Sequence, residues 1–449
     1  MTSPVTDSLE HWLAREYHHA AAAMLKSVSA CDLVKERPGF GQSVRPVVGS
    51  IVASPVLASY DPDPDYFFHW FRDSAIVIDA VRVLYEAGDL EVQAPKHFSD
   101  FVLFSLSLQA LEGRARVESP QWRRNVTPDF KRYLRDDLAD VAGDAVYADT
   151  RVNPDRTLDI SRWNRPQHDG TALRAITVLR WLRTLRAKGA RPDDGVCVDA
   201  ERLLRIDLGL TASHWSRPSF DIWEEEQGLH YFTLRVSLAA LEEGAAWLDA
   251  ADETSAAAAL RAEARAIREK LDGFWLAGAG YYRSRIMPPG VATTKLLDIA
   301  VILSTLHSPE AKEAHSVRDP RMHSTLNALE VLFDRLYAIN RGRPRERGPA
   351  MGRYEGDVYF SGGAYYFSTL GAAEFCFLAA AAHAPGGKDR WIARGDAFLE
   401  TVRAFTPASG DLAEQFDQRT GEPTSAKHLA WSYAAFISCV AARRAAMLP

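Results

Sequence analysis

Four short segments of this 449-residue chain combine aromatic residues with charged residues. They are 65–73 (DYFFHWFRD), 163–170 (WNRPQHDG), 221–226 (DIWEEE) and 410–417 (GDLAEQFD). Sugar rings have apolar faces and hydroxyl edges, so a site that binds them needs aromatic platforms beside charged hydrogen-bonding groups. The segment 65–73, with its aromatic rings beside Arg72 and Asp73, has the residue types of such a site.

Two of these segments carry carboxylates of interest, and one of them could supply a general acid. If 221–226 is helical, Asp221, Glu224 and Glu225 lie on one face, at positions i, i+3 and i+4. Crowded carboxylates raise one another's proton affinity, so one of them can stay protonated and serve as a general acid. Glu414 lies in a glycine-bounded loop before the last predicted helix.

Each segment, considered alone, also fits a purely structural role. Asp73 and its aromatic neighbours could begin and bury a helix, and Asp169 could cap the helix that follows it. The acidic residues of 221–226 could complement a helix dipole, and Glu414 could be a solvated surface acid.

Helical periodicity dominates the rest of the chain and predicts twelve helices. Apolar residues recur three and four positions apart, as at Leu234, Leu238 and Leu241. The predicted helices are 8–29, 72–87, 95–111, 169–188, 200–215, 231–248, 254–275, 295–306, 324–340, 363–382, 388–405 and 426–446.

No long linker rich in Pro, Gly or Ser divides these segments, so they predict one all-α domain. A closed double ring of six inner and six outer helices fits their number. An α-solenoid is the competing arrangement, but no repeat of fixed period is present. A charged insert at 131–149 is predicted to hold an extra helix, and 49–53 and 280–283 are predicted as short strands.

Composition and charge exclude several classes of protein. The net charge of −6 and pI near 6.1 argue against non-specific nucleic-acid binding. The start of the chain lacks a signal-peptide pattern and no apolar run could span a membrane, so we expect a cytoplasmic protein. No two cysteines have CxxC spacing, and Cys376 and Cys439 are expected to be reduced core residues.

Six motifs in order resemble glycoside hydrolase family 15, the glucoamylase family, over residues 66–433. They lie at 66–73, 163–170, 221–225, 353–357, 413–416 and 431–433. Six motifs in the family's order outweigh the structural interpretations that each allows alone. The family's (α/α)6 barrel agrees with the twelve predicted helices.

The resemblance implies an inverting exo-hydrolase that releases glucose from the non-reducing ends of α-glucosides. Glu224 matches the general acid, Glu414 matches the general base, and Tyr66 matches a residue that helps to place the water. Inversion leaves room for that water, so the two carboxyl groups are expected about 6.5–9.5 Å apart.

Further positions match sugar-binding residues of the family. Arg72 and Asp73 match residues that hold the hydroxyls of the terminal glucose, and Arg353 matches a second sugar-binding arginine. The other residues expected at the substrate are Trp70, Trp163, Arg165, Asp221, Trp223, Glu225 and Trp431. The motifs demand no cofactor or metal, because acid–base hydrolysis needs only two carboxyl groups and water.

Departures from the family pattern favour short α-1,4- or α-1,6-linked gluco-oligosaccharides over starch. Tyr365 stands where fungal members usually have Trp, His168 replaces a common Arg, and the insert at 131–149 could reshape the pocket mouth. We expect residues 1–449 to form one catalytic domain, without a separate β-sandwich or starch-binding domain.

Three alternatives stay open at this stage. A trehalase of the same family would share the acid, the base and the glucose-holding residues. A carbohydrate-binding protein on an inactive enzyme fold would be free to lose Glu224 or Glu414, whereas this chain has both. A disaccharide phosphorylase would use phosphate and leave Glu414 without a role.

Overall fold

The computed structural model describes residues 8–59, 62–307 and 314–448, which contain fifteen α-helices. Each of the twelve predicted helices corresponds to one of them. The helices are Leu9–Leu25 (α1), Phe71–Ala87 (α2), Gln93–Ser107 (α3), Gly113–Glu118 (α4), Pro120–Asn125 (α5), Asp144–Tyr147 (α6), Asp169–Ala187 (α7), Gly195–His214 (α8), Tyr231–Asp249 (α9), Thr254–Asp272 (α10), Ala300–Leu306 (α11), Pro320–Leu336 (α12), Tyr366–Ala381 (α13), Lys388–Phe405 (α14) and Ala430–Met447 (α15).

Several helix boundaries differ from those that the periodicity predicts: α8 begins five residues earlier, and α12 begins and ends four residues earlier. Helix α11 begins five residues later than predicted, because Asp298 pairs with Tyr354 in an isolated β-bridge just before it. The charged insert holds the single helical turn of α6, together with 3₁₀ turns. The predicted extra helix is therefore present but only four residues long.

Six helices form a closed inner ring. In order, α2, α7, α9, α11, α13 and α15 each pack against the next, and α15 packs against α2. The outer helices α1, α3, α8, α10, α12 and α14 pack against α15, α2, α7, α9, α11 and α13 respectively. This closed double ring is an (α/α)6 barrel, and the contact between the first and last inner helices excludes an open solenoid.

Burial explains which helices lie inside. Helix α13 is apolar on nearly all sides and buries 14 of its 16 residues, as a helix enclosed by neighbours must. Helix α10 buries only Ala257, Leu260, Ala264, Ile267 and Leu271, which repeat at three- and four-residue spacing along one face. Its other side faces solvent, so it belongs to the outer ring.

Thirteen short strands in the described residues lead into or connect the helices. They are Lys35–Arg37 (β1), Gln42–Val44 (β2), His69–Trp70 (β3), Arg151–Asn153 (β4), Thr157–Leu158 (β5), Ser219–Phe220 (β6), Gln227–His230 (β7), Trp275–Leu276 (β8), Tyr281–Tyr282 (β9), Arg285–Ile286 (β10), Ala364–Tyr365 (β11), Gln415–Phe416 (β12) and Pro423–Thr424 (β13). Three antiparallel sheets have three strands each, in the orders β3-β4-β5, β10-β7-β6 and β11-β12-β13. One strand of each leads directly into an inner helix: β3 into α2, β7 into α9 and β11 into α13.

The two predicted strands have different outcomes. Residues 280–283 contain β9, which pairs with β8, whereas 49–53 contribute only an isolated bridge between Ile51 and Val28. All four cysteines are free, and Cys376 and Cys439 are buried as expected. None of the helices in the described ranges is both long and apolar enough to cross a membrane.

Candidate active site

The segments that lead into five inner helices meet in one pocket of about 310 Å³. Residues before or within the first turn of α2, α7, α9, α13 and α15 line it, so these helices begin at the same end of the barrel. The lining residues are Ala53, Tyr66, Trp70, Arg72, Asp73, Arg162, Trp163, Asn164, Ile222, Trp223, Glu224, Glu225, Arg353, Tyr359, Phe367, Glu414, Leu429 and Trp431.

Eleven of the thirteen predicted site residues line this pocket. Arg165 and Asp221 do not, although both were expected at the substrate. Arg165 pairs with Asp149 at 2.5 Å and with Asp159 at 3.3 Å, and so ties the insert to the strand region behind the pocket wall. Asp221 pairs with Arg285 instead of facing the cavity.

Glu224 is held by three donors on the pocket wall. Its Oε1 accepts hydrogen bonds from Trp70 Nε1 at 2.8 Å and from Arg72 Nη2 at 3.2 Å, and its Oε2 accepts one from the Trp163 indole. Asn164 Nδ2 donates to the Glu224 carbonyl oxygen at 2.6 Å. These contacts fix both the carboxyl group and the backbone that carries it.

Residues 221–226 are not helical, so the helix face considered above does not form; they make the turn between β6 and β7. Glu224 has a φ of +63°, a left-handed conformation that non-glycine residues adopt at a cost. The Glu224 amide donates to the Asp221 carbonyl at 2.9 Å, and the Glu225 amide donates to Asp221 Oδ1 at 2.8 Å. The turn, and not a helix face, aims Glu224 into the pocket.

One buried arginine that the motifs did not indicate holds this turn from behind. Arg285 donates from Nη1 to Asp221 at 2.6 Å and to Glu226 at 2.9 Å, and from Nη2 to Asp298 at 2.7 Å. Asp298 Oδ2 also accepts the indole N–H of Trp223 at 2.9 Å. We call Arg285 and these three carboxylates the rear clamp; no local sequence pattern predicts it.

Glu225 is bound differently from its neighbour. Its carboxylate accepts hydrogen bonds from Arg353 at 3.1 Å, from Lys295 at 2.7 Å and from the Tyr354 hydroxyl. Burial opposes ionisation, but these cations and the hydroxyl lower the pKa of Glu225 below its usual value. Glu225 is therefore an anion whose charge Arg353 and Lys295 offset.

Glu414 lines the same pocket with different hydrogen-bond partners. The Tyr66 hydroxyl donates to its two oxygens at 3.3 and 3.4 Å, and the Ser425 hydroxyl donates to Oε2. Burial raises the pKa of Glu414 to about 7, while Ser425, Arg353 and Tyr66 work in the other direction. Ser425 lies eleven residues further along the chain, and sequence reasoning missed it.

Three carboxyl groups share the guanidinium of Arg72 near the pocket floor. Arg72 lies 3.2 Å from Asp73, 3.2 Å from Glu224 and 3.6 Å from Asp169. Burial raises the pKa of Asp73, and it raises that of Asp169 to about 6. Asp169 is the first residue of α7 and not its cap, because the cap position belongs to His168.

Aromatic rings form a large part of the pocket lining. Phe367 and Trp431 stack with centroids 4.3 Å apart and planes at 6°. Tyr66 and Trp70, which contact Glu414 and Glu224 respectively, have ring centroids 5.2 Å apart. Tyr365, which differs from the usual Trp, lies behind the lining and donates to Asp357 at 3.2 Å.

A pocket lined by acids, arginines and aromatic rings at the end of an (α/α)6 barrel has the chemistry of a carbohydrate site. The family model for glycosyl hydrolases family 15 matches residues 40–107, 150–394 and 389–441. The chain belongs to glycoside hydrolase family 15 and is a glucoamylase-like enzyme.

Comparison with individual proteins agrees. A probable glucoamylase of Schizosaccharomyces pombe is 28% identical, over 98% of this chain and 92% of its own length. An intracellular sporulation-specific glucoamylase of Saccharomyces cerevisiae is 26% identical, over 86% of this chain and 77% of its own length. The solved glucoamylase of Hormoconis resinae has a TM-score of 0.77 at 25% identity and covers 97% of this chain and 74% of that one.

Proposed function

We propose that this enzyme is an inverting, exo-acting α-glucosidase. It releases β-glucose from the non-reducing ends of short α-1,4- or α-1,6-linked gluco-oligosaccharides. One observation carries the proposal: Glu224 and Glu414 line the same pocket, each bonded to a different member of the Tyr66–Trp70 aromatic pair. Within the described residues, no hydrogen bond joins the two carboxyl groups. This arrangement is compatible with a water between Glu414 and the sugar, as inversion requires.

In this mechanism Glu224 donates a proton to the glycosidic oxygen as the bond breaks. Glu414 removes a proton from a water that attacks the anomeric carbon from the opposite face, so the configuration inverts. A base works best when its pKa lies near the working pH, and burial brings the pKa of Glu414 to about 7. Tyr66, which bonds to Glu414, is positioned to orient that water.

Exo action follows in this proposal from the groups that hold the terminal ring. The Phe367–Trp431 stack offers it an apolar surface, and Arg72 and Asp73 supply charged groups for its hydroxyls. Arg353 and Glu225, on the adjoining wall, serve the leaving-group sugar.

We also infer a cytoplasmic location, supported by the four free cysteines and by the yeast relative that is named as intracellular. Cell fractionation with immunoblotting tests this inference. Recovery of the protein from the culture medium or a secretory compartment would refute it.

The first test of the activity is proton NMR of the enzyme with maltose, isomaltose and trehalose in separate tubes. Early β-glucose from maltose or isomaltose is the expected result and identifies the linkage. Turnover of trehalose alone, with equal early α- and β-glucose, would identify a trehalase. Early α-glucose alone would contradict inversion, and no release from any tube would point to a binding protein.

Two variants test the assigned roles. Glu224→Gln and Glu414→Gln keep the side-chain shape but cannot exchange a proton, so each is expected to lower kcat by at least 10³-fold without loss of folding. Glu422→Gln is the matched control, because Glu422 is exposed in the hairpin that follows Glu414. Full activity of either catalytic variant, with circular dichroism unchanged, would refute the assignment.

A further inference from the structure

Two further cavities follow the barrel axis beyond the active-site pocket. The first, of about 70 Å³, shares Phe367 and Trp431 with the pocket, so the stack of these two rings separates them. The second, of about 550 Å³, shares Glu374 and Ser438 with the first and reaches the last turn of α15 at Ala445. It therefore lies at the opposite end of the barrel from the pocket. We call the first the inner cavity and the second the outer basin.

Four polar residues form one layer in the lining of the inner cavity. Each is the eighth residue after the first residue of its inner helix, and these helices begin at the same end of the barrel. A rise of about 1.5 Å per residue places all four about 12 Å along the axis from the helix starts. We call them the polar layer, and its members are Asp79 (α2), Thr177 (α7), Glu374 (α13) and Ser438 (α15).

The two carboxyl groups of the polar layer differ in their partners. Asp79 pairs with Arg82 at 2.7 Å and with Arg180 at 2.5 Å. Glu374 is 8% exposed, and its Oε2 accepts a hydrogen bond from the Ser438 hydroxyl at 2.7 Å. Among the described residues, no basic side chain lies within ion-pair distance of Glu374, and its Oε1 accepts no hydrogen bond. A buried carboxylate without a cation is costly, so a cation that reaches it from the cavity is stabilised.

The arginines of the outer basin argue against an anionic ligand. Each of them already pairs with a carboxylate: Arg82 with Asp79 and Glu86, Arg180 with Asp79, and Arg183 with Glu243. The guanidinium charges that line the basin are therefore neutralised. The carboxyl group of Glu374 is left as the unmatched charge in the lining of the two cavities, as far as the described residues extend.

The inner cavity also decides which cation fits. Aliphatic side chains line much of it, including Ile76, Leu173 and Leu303. In the ranges that the structure describes, no group of three or more potential metal ligands is present, so a bare metal ion would lack ligands. An ammonium group on a short alkyl chain satisfies both parts of the cavity, because its N–H groups can donate to a carboxylate while its chain stays among apolar side chains.

We propose that Glu374 and the inner cavity form a binding site for a small primary aliphatic amine. The ammonium group donates hydrogen bonds to the Glu374 carboxylate and offsets its charge. The alkyl chain extends into the inner cavity towards the Phe367–Trp431 stack. The amine enters through the outer basin, at the end of the barrel away from the substrate. Its binding is independent of the proposed function, because it requires no turnover.

Binding of n-butylamine, followed by saturation-transfer difference NMR at pH 8, tests the proposal. Burial raises the pKa of Glu374 to about 7, so this carboxyl group is mostly ionised at that pH. The wild type is expected to bind with a Kd of about 1 mM, which is within reach of so small a ligand. Glu374→Gln keeps an acceptor for the Ser438 hydroxyl and should weaken binding by about tenfold or more, because a charge-assisted hydrogen bond is lost.

Glu330→Gln is the matched control. Glu330 is also a partly buried glutamate, but it pairs with Arg394 at 2.6 Å and lines neither cavity. This variant and Glu414→Gln should bind n-butylamine within about twofold of the wild type. A loss in Glu414→Gln as large as that in Glu374→Gln would place the amine in the active-site pocket and overturn the proposal.

Three other outcomes would also overturn it. Unchanged affinity in Glu374→Gln would remove the carboxylate from the site. 1-Butanol has the same alkyl chain without the charge and should bind about tenfold more weakly or less, so equal affinity of the two probes would exclude recognition of the ammonium group. Absence of n-butylamine binding to the wild type up to about 20 mM would exclude the site itself.

Discussion

Replacement of Arg285 by lysine should separate positioning of the acid from binding of the sugar. Arg285 is 1% exposed and reaches three carboxylates, two of them through a single nitrogen. Lysine keeps the charge but loses the planar fork, so it cannot hold Asp221 and Asp298 together. The turn that carries Glu224, and the indole of Trp223 bonded to Asp298, then lose their common support.

The expected magnitudes follow from these contacts. A hydrogen bond to a charged group contributes about 1.5–3 kcal/mol, so the loss of one or two costs about 2–5 kcal/mol. An unfolding entropy of about 2.1 cal/mol/K per residue over 449 residues converts this to a Tm lower by about 2–5 °C. A catalytic group displaced by about 1 Å costs about 10²-fold in rate. We therefore expect kcat to fall about 10²-fold, with a smaller change in KM, because Arg72 and Asp73 stand on α2 whereas Trp223 loses its common support with the turn.

The assay is glucose release from maltose, analysed for kcat and KM below the Tm of the variant, with thermal melting measured in parallel. Arg205→Lys is the matched control: Arg205 also forms a two-point pair, with Glu253 at 2.8 and 2.6 Å, but is 45% exposed. That variant should match the wild type in kcat and Tm. A lower Tm with kcat unchanged in Arg285→Lys would refute positioning and leave the rear clamp a purely stabilising role.

Three further predictions concern protonation and packing. Ser425→Ala removes a hydrogen bond that lowers the pKa of Glu414. The acidic limb of the kcat/KM profile, expected near pH 7 in the wild type, should therefore move up by about one pH unit. A limb that does not move would contradict this. Burial raises the pKa of Glu374 from 4.5 to about 7, so its contribution to stability is complete below pH 4.5 and is lost as the pH rises through 7. Glu374→Gln should therefore melt like the wild type at pH 4 but up to about 3 °C higher at pH 8, and an equal difference at both pH values would rule out this origin. In Gly352→Ala the new Cβ would lie 1.8 Å from the Tyr337 hydroxyl oxygen. This clash should lower the free energy of unfolding by about 1–3 kcal/mol. Adding Tyr337→Phe removes the hydroxyl and should recover part of the lost Tm, whereas a double variant no more stable than Gly352→Ala would disprove the clash.

The helices and most of the pocket lining follow from sequence alone, because both depend on short-range patterns. Apolar residues spaced three and four apart indicate which side of a helix faces the core. All twelve helices of the double ring were therefore predicted. The aromatic and charged motifs sit next to the starts of inner helices, and closure of the ring brings those starts together. Tyr66, Arg353 and Trp431 therefore meet in one pocket although they are far apart in the chain.

Tertiary structure alone decides how the acidic groups are oriented and charged. Glu224 lies in a turn and not on a helix face because β6 and β7 pair on either side of it, and this pairing is not visible in the residues of the turn. Arg165 and Asp221 have the residue types of a binding site, but buried partners elsewhere in the chain draw them behind the pocket wall. Arg285 and Ser425 carry no motif, because their importance comes from contacts across 64 and 11 residues. Charge and burial in such contacts depend on which surfaces the closed barrel brings together, and local sequence patterns do not record that.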